Sequence, residues 1–144
     1  MINEAMKTQD TSGIPLVRPV LTDRELNHYD ELSLGEKQEL FCKLLPVLMC
    51  YIFSRGYRIR QGDGFRDPRA FGKFGEPGPY GKSTSVHKWK LAKDLFLMLG
   101  KKYLTKTEDY RDPGEYWETL HPLCRWGGRF KDGNHFSIEH EGYM

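Results

Sequence analysis

The sequence predicts a small single domain of the α+β class. Three observations carry this prediction: the chain has 144 residues, one long amphipathic helical pattern, and several short apolar runs typical of strands. A chain of this length can bury one proper core but is short for two domains. Residues 1–32 contain Pro15 and Pro19 and show no sustained hydrophobic period, so we expect an N-terminal arm there and the domain proper over residues 33–144.

The first long helix has a recognisable start and end. Ser33 and Glu36 form a capping-box pattern, in which each side chain bonds the backbone amide of the other residue. Gly56 is predicted to end the helix as a left-handed cap. Between them, apolar residues recur at i, i+3 and i+4: Phe41, Leu44, Leu45, Leu48, Met49, Ile52 and Phe53. Cys42 and Cys50 lie within this pattern and are predicted to be buried, reduced thiols.

Shorter elements follow the helix. Residues 57–60 alternate apolar and basic side chains, which predicts a strand with one buried face. Residues 91–98 fit either a strand or a buried helix, and we favour the strand. On a helix, His87 and Asp94 would lie about 10.5 Å apart along the axis, too far to share one metal ion. The remaining predicted elements are a helix over 110–120 and a strand over 135–138.

Composition excludes several classes of protein. Twenty-two basic and twenty acidic side chains give a formal charge of +2, too small to indicate a nucleic-acid partner. No apolar run approaches the roughly 20 residues that span a bilayer, so no membrane insertion is expected. The polar N-terminus lacks the pattern of a secretory signal, which predicts a protein made in the cytoplasm. Three cysteines without CxxC spacing indicate neither a disulfide framework nor a thiolate zinc site.

Two segments carry metal-binding residue types at regular spacing. Near the C-terminus, Asp132 precedes His135 by three residues beside a glycine turn, and upstream His87 precedes Asp94 by seven residues. Two imidazoles and one carboxylate supply three protein ligands and leave a fourth position open, as in catalytic zinc sites. We expect Zn²⁺ on His87, Asp94 and His135, with Asp132 free to act as a base. The competing interpretation is that residues 132–134 form only a polar turn.

The chain resembles the zinc peptidases that include VanY-type D,D-carboxypeptidases and phage L-alanyl-D-glutamate endopeptidases. The resemblance extends from about Ser33 to Ile138 and rests on these spaced elements: Ser85-x-His87, Ala92-x-Asp94, the Trp126-Gly127-Gly128 turn, and Asp132-x-x-His135-Phe136. It implies the Hedgehog/DD-peptidase fold, in which helices pack on an antiparallel sheet that carries the metal. It also implies peptidoglycan stem peptides as substrates.

The resemblance also implies roles for residues outside the ligand set. Arg66 matches an arginine that stabilises charge on the scissile carbonyl, and Ser85 matches a serine that contacts substrate. Lys90 departs from the pattern because the family usually has glycine there. The conformation of the turn after His87 therefore cannot be predicted from the resemblance. The glycine- and proline-dense segment 67–84 is too long for a simple connection and is predicted to be a binding loop or lid.

Three functions are compatible with these residues. The first is a monomeric phage endolysin that hydrolyses the L-Ala–D-Glu bond of peptidoglycan and reaches the wall after release by a separate holin. The second is a D-Ala-D-Ala carboxypeptidase or dipeptidase, and the third is a non-catalytic binding module with a structural zinc. Asp132 argues against the third, because a structural zinc has no use for a spare carboxylate. The missing secretion signal favours the first over the second.

Overall fold

A computed structural model of the protein describes residues 18–144, and all structural statements refer to that range. The helices are α1 (Asp23–Asn27), α2 (Leu34–Ser54), α3 (Pro68–Phe71) and α4 (Arg111–Leu120). The strands are β1 (Arg58–Gln61), β2 (Ala92–Leu99), β3 (Lys102–Tyr103), β4 (Cys124–Trp126) and β5 (His135–Ile138). Helices and an antiparallel sheet in one small domain confirm the predicted α+β class. None of the helices described combines the length and apolar character needed to cross a bilayer.

The sheet has β2 at its centre. Its order is β1-β2-β5-β4, with β3 also paired to β2, and every pairing is antiparallel. β5 pairs with the first half of β2, so that Asp94 lies directly opposite His135. Opposed residues on neighbouring antiparallel strands have side chains about 5 Å apart on the same face. The strand register therefore brings together a carboxylate and an imidazole that are distant in sequence.

The two faces of the sheet have different roles. Leu95, Leu97 and Phe136 are fully buried in the hydrophobic core, together with Trp117 of α4. Successive side chains of a strand point to opposite faces, so Asp94 projects from the face opposite to Leu95. The apolar run of residues 91–98 is thus a strand, as predicted. Leu95 and Leu97 thus point into the core, and Asp94 lies on the other face of the strand.

Helix α2 begins as predicted, and its predicted apolar face packs on the core except at Phe53, which is 45% exposed. Ser33 Oγ accepts a hydrogen bond from the Glu36 amide at 3.2 Å, and Glu36 Oε2 accepts one from the Ser33 amide at 2.8 Å. Leu40, Leu44 and Leu48 form the buried row of the helix. Gly56 follows the C-cap with a φ of 89°, which confirms the left-handed end of the helix.

Two cysteines of α2 are exposed, and the prediction that they are buried was wrong. Cys42 and Cys50 are eight residues apart and share one face of the helix. The fully buried Leu44 and Leu48 are offset from Cys42 by two and six residues, which places them on the other side of the helix. The apolar pattern covers a broad arc of α2, and only part of that arc meets the core.

The described part of the predicted N-terminal arm packs on the domain. Glu25 of α1 is only 3% exposed and pairs with Lys43 of α2 at 2.8 Å. His121 Nε2 donates to the Glu25 carbonyl at 2.6 Å. Residues 1–17 of the arm lie outside the described range, and the boundary at residue 33 stays a prediction.

His140, a partly buried ring in contact with Lys37, is expected to make the stability of the protein depend on pH. Lys37 Nζ donates to His140 Nδ1 at 3.1 Å and joins α2 to the C-terminal segment. Burial, followed by the charge of Lys37, lowers the pKa of His140 below its ordinary value, although Glu141 and Glu139 act in the opposite direction. The stability contributed by the neutral ring is therefore complete above the unfolded-state pKa of about 6.5 and is lost as the pH falls through the folded-state value.

We expect the free energy of unfolding to fall more steeply from about pH 7 to about pH 5 in the parent protein than in His140→Gln, which has no titrating ring at that position. Urea titrations at both pH values measure the difference. His28→Gln, at an exposed position, is the matched control and should keep the slope of the parent. Equal slopes for the parent and His140→Gln would contradict the assignment.

Candidate metal centre

Three side chains from separate elements meet on one face of the sheet. His87 lies on a short 3₁₀ turn (Val86–Trp89), Asp94 on β2, and His135 at the first position of β5. His87 Nε2 lies 3.2 Å from Asp94 Oδ1 and 3.2 Å from His135 Nδ1. His135 Nδ1 lies 3.4 Å from Asp94 Oδ1. The three atoms form a nearly equilateral triangle.

The size of this triangle matches a tetrahedral metal site. Nitrogen and oxygen ligands bind zinc at about 2.0–2.2 Å, so two ligands of a tetrahedral ion lie about 3.3–3.6 Å apart. The observed separations of 3.2–3.4 Å agree with that edge length. No further movement of the backbone is needed for one small ion to contact all three atoms.

Hydrogen bonding presents an unprotonated nitrogen of His87 to the triangle. His87 Nδ1 donates to the carbonyl oxygen of Gly64 at 2.7 Å, which leaves Nε2 with a lone pair in the neutral ring. A carbonyl partner on the outer nitrogen is the usual arrangement for a metal-binding histidine, because it sets the tautomer and the ring orientation. His87 is thus prepared as a ligand by its own surroundings.

Asp94 supplies a negative charge at the same point. Burial raises the pKa of its carboxyl, but the adjacent His135 and His87 rings outweigh this and hold the pKa well below its usual range. Among residues 18–144, Asp94 Oδ1 is nevertheless a buried oxygen without a suitably oriented donor. A carboxylate oxygen and two ring nitrogens are donor types that bind metal cations. The group could therefore hold a metal ion.

Asp132 lies beside the ligand triangle and outside it. Its Oδ2 is 4.0 Å from His135 Nδ1, and its side chain is about half exposed. The His135 amide donates to the Asp132 carbonyl at 3.1 Å, so the two residues share one tight turn. Lys131, just before Asp132, has a φ of 66°, an unusual conformation for a residue with a side chain. The turn thus holds an accessible carboxylate next to a nitrogen of the candidate metal-binding group.

The turn before Asp132 is built around a buried tryptophan. Trp126 is 1% exposed, and its Nε1 donates to the Gly133 carbonyl at 2.7 Å. Gly127 has no room for a side chain, because a Cβ there would lie 2.7 Å from His135 Cβ and closer still to the Asp132 carbonyl. Through these contacts the conformation of the turn determines the positions of Asp132 and His135.

Gly127→Ala is expected to destabilise the protein by about 1–3 kcal/mol and to weaken metal binding, because the added methyl group displaces His135 and the Asp132 backbone. Urea unfolding and metal titration measure the two effects. Gly35→Ala is the matched control: a Cβ at Gly35 meets nothing within 4 Å, so alanine should leave metal binding unchanged and stabilise α2 slightly. Parent-like metal affinity in Gly127→Ala would contradict the link between turn and site.

Arg66 and Ser85 lie together beside His87. Arg66 pairs with Asp63 at 3.0 Å and donates from Nη1 to Ser85 Oγ at 3.2 Å. Ser85 Oγ also accepts from the His87 amide at 3.3 Å, which caps the turn that carries the ligand. The structure thus places both predicted residues at the site and assigns Ser85 a positioning contact. Their contacts with substrate stay predictions.

The 67–84 segment is anchored to the same turn. Lys88, next to His87, is 6% exposed, and its ammonium donates to the carbonyls of Lys73 at 3.2 Å and Glu76 at 2.7 Å. The turn after His87 closes with Lys90 at φ 58°, the left-handed conformation that glycine adopts without strain. Lys90, where the resembling family usually has glycine, therefore adopts the backbone conformation that the turn after His87 requires.

Several residues that shape the centre were not found by sequence analysis. Gly64 orients His87 through its backbone carbonyl, and a backbone group cannot be identified from the residue type. The role of Asp63 could have been predicted from the sequence, since it lies three residues before Arg66 and carries the opposite charge. Phe130 packs edge-on against the His135 ring at 5.7 Å, and its place two residues before Asp132 in the same turn was the only hint.

Comparisons with known proteins add no identification: no protein-family profile matches the chain, and no curated protein is significantly similar to it. The candidate site consequently rests on the geometry of these residues. A functional assignment rests on this geometry together with the resemblance of the spaced motifs to those of zinc peptidases.

Proposed function

We propose that this protein is a zinc-dependent peptidoglycan endopeptidase that hydrolyses the L-Ala–D-Glu bond of stem peptides and acts as a phage endolysin. One observation carries the proposal. Three ligand atoms of His87, Asp94 and His135 converge at tetrahedral spacing, and a fourth, accessible carboxylate stands beside them without joining them. A purely structural metal site has no chemical need for Asp132 in that position.

The ligand set suits catalysis by zinc. Zinc with three protein ligands and an open position lowers the pKa of water to about 7 and polarises a carbonyl group. The Asp132 carboxylate, whose Oδ2 lies 4.0 Å from His135 Nδ1, would accept the proton of the attacking water and pass it to the leaving amine. Its partial exposure leaves it accessible to substrate.

Arg66 would stabilise the negative charge that develops on the scissile carbonyl oxygen. Its guanidinium is held by Asp63 and Ser85 and is only 12% exposed, so its orientation is set before substrate binds. Preorganised donors of this kind lower the barrier because they need no reorganisation during the reaction. Ser85 would contact substrate through the same hydroxyl that orients Arg66.

The choice of substrate and biological role rests on the motif resemblance. The spacing from His87 to Asp94 and from Asp132 to His135 is similar to that of peptidases that act on peptidoglycan. On that basis the protein would act as a monomer on stem peptides at the cell wall, after release by a separate holin. No nucleic-acid partner is part of the proposal.

Digestion of purified peptidoglycan by the zinc-loaded protein tests the proposal. Mass spectrometry of the products should show new D-Glu amino termini. Release of D-Ala would instead identify the second candidate, a D-Ala-D-Ala carboxypeptidase or dipeptidase with the same metal chemistry. A metal-replete sample that cleaves neither bond would contradict both enzymes and favour a non-catalytic, zinc-stabilised binding module.

A further inference from the structure

The tip of the 67–84 segment contacts both sides of the metal centre. The Tyr80 ring lies 5.4 Å from the Arg66 guanidinium carbon, on the side of the site that carries His87. Two residues later, the Lys82 ammonium lies 5.4 Å from the centre of the Phe130 ring. Phe130 itself packs on the ligand His135. The segment thus forms one wall of the centre.

Two cations lie at this wall, Arg66 and Lys82, and they differ in their ionic partners. Arg66 is paired with Asp63 at 3.0 Å and is largely buried. Lys82 is exposed, and among residues 18–144 its ammonium belongs to none of the ion pairs. Its recorded neighbour is an aromatic face, which attracts a cation but does not neutralise it. Lys82 is therefore free to bind an anionic group of a ligand.

The proposed substrate carries such a group next to the scissile bond. In a stem peptide, D-Glu is joined to the next residue through its γ-carboxyl, so its α-carboxylate stays free two bonds from the scissile nitrogen. In the proposed site the zinc charge is shared with Asp94, and Arg66 is paired with Asp63, so within the described range Lys82 is the cation of this wall that has no ionic partner. A cation within reach of a carboxylate attracts it and favours an anionic ligand over a neutral one.

We propose that Lys82 binds the free carboxylate next to the scissile bond and makes the site specific for stem peptides with unamidated D-Glu. The Lys82 ammonium lies over the Phe130 ring, and that ring packs on His135 of the candidate centre. This assignment rests on the proposed endopeptidase activity. It adds a substrate class to that activity, and it gives the 67–84 segment a function in recognition.

Two synthetic stem peptides test the assignment, one with the free α-carboxylate of D-Glu and one with its α-amide. We expect the zinc-loaded parent protein to cleave the acid with a kcat/KM about 5- to 10-fold higher than the amide. Lys82→Met should remove this preference by raising KM for the acid, with little change in kcat and no change for the amide. Lys82→Arg should retain most of the preference because it keeps the charge.

Lys101→Met is the matched control, since Lys101 is an exposed lysine in the β2–β3 connection at the far end of β2 from Asp94. It should behave as the parent protein. Equal cleavage of acid and amide by both the parent and Lys82→Met would overturn the role of Lys82 and leave the endopeptidase intact. Failure of the metal-loaded parent to cleave either peptide would overturn the endopeptidase itself, and the role of Lys82 with it.

Discussion

Asp132→Ala is expected to lower the rate of peptide hydrolysis by about 10²–10⁴-fold while the protein keeps one metal ion per chain. The reason is that Asp132 is proposed to transfer the proton, whereas three other residues are proposed to bind the metal. Asp132 Oδ2 is 4.0 Å from His135 Nδ1, so its removal leaves the three ligand atoms in place. In the proposed mechanism, the variant loses the group that accepts a proton from water and returns it to the amine.

Asp132→Asn refines this test because it preserves the size of the side chain and its hydrogen-bonding capacity but cannot take up the proton. It should be nearly as inactive as Asp132→Ala. Steady-state cleavage of a stem peptide and elemental analysis of the purified variants provide the two measurements. Asp30→Asn is the matched control, since Asp30 is an exposed carboxylate outside the centre. Loss of metal from Asp132→Ala would show that Asp132 is a ligand and that its assigned role is wrong.

Asp94→Ala is expected to weaken metal binding by more than about 100-fold. Loss of an outer hydrogen-bonding partner already costs a metal site about 10- to 100-fold in affinity, and Asp94 is a direct ligand in the proposed site. At a metal concentration 100 times the dissociation constant of the parent, bound metal should stabilise the parent by about 2.7 kcal/mol. An affinity 100-fold lower reduces this to about 0.4 kcal/mol.

Urea unfolding with and without added zinc measures this difference. Asp30→Ala, the matched control, should keep the full metal-dependent gain of the parent. Elemental analysis of the same samples identifies the ion, because two imidazoles and a carboxylate also form the ligand set of non-haem iron(II) enzymes. An Asp94→Ala protein that gains as much stability from zinc as the parent would exclude Asp94 as a ligand.

Local patterns predicted most of the elements. Ser33 and Glu36 predicted the start of α2 because a capping box depends only on residues three apart in sequence. The burial of Cys42 and Cys50 could not be predicted in the same way. Which part of a broad apolar arc meets the core depends on where the sheet and α4 lie, and that information is not local.

The small helix α1 shows the same limit. Thr22 and Glu25 form a second complete capping box, which was not recognised within the predicted arm. The segment has no apolar period because its chief anchor is polar: Glu25 is buried through its ion pair with Lys43. Methods that search for apolar faces overlook an element held in this way.

The sequence by itself determined the ligand types, their spacing and the carboxylate three residues before the last histidine, because these follow from residue identity along the chain. Only the tertiary structure decided that His87 Nε2, Asp94 Oδ1 and His135 Nδ1 converge within 3.4 Å, and that Asp132 stays outside them. The physical reason is the pairing of β2 with β5, which sets Asp94 opposite His135. The Gly64 carbonyl then turns His87 towards both. Strand register and backbone hydrogen bonds are properties of the folded chain as a whole.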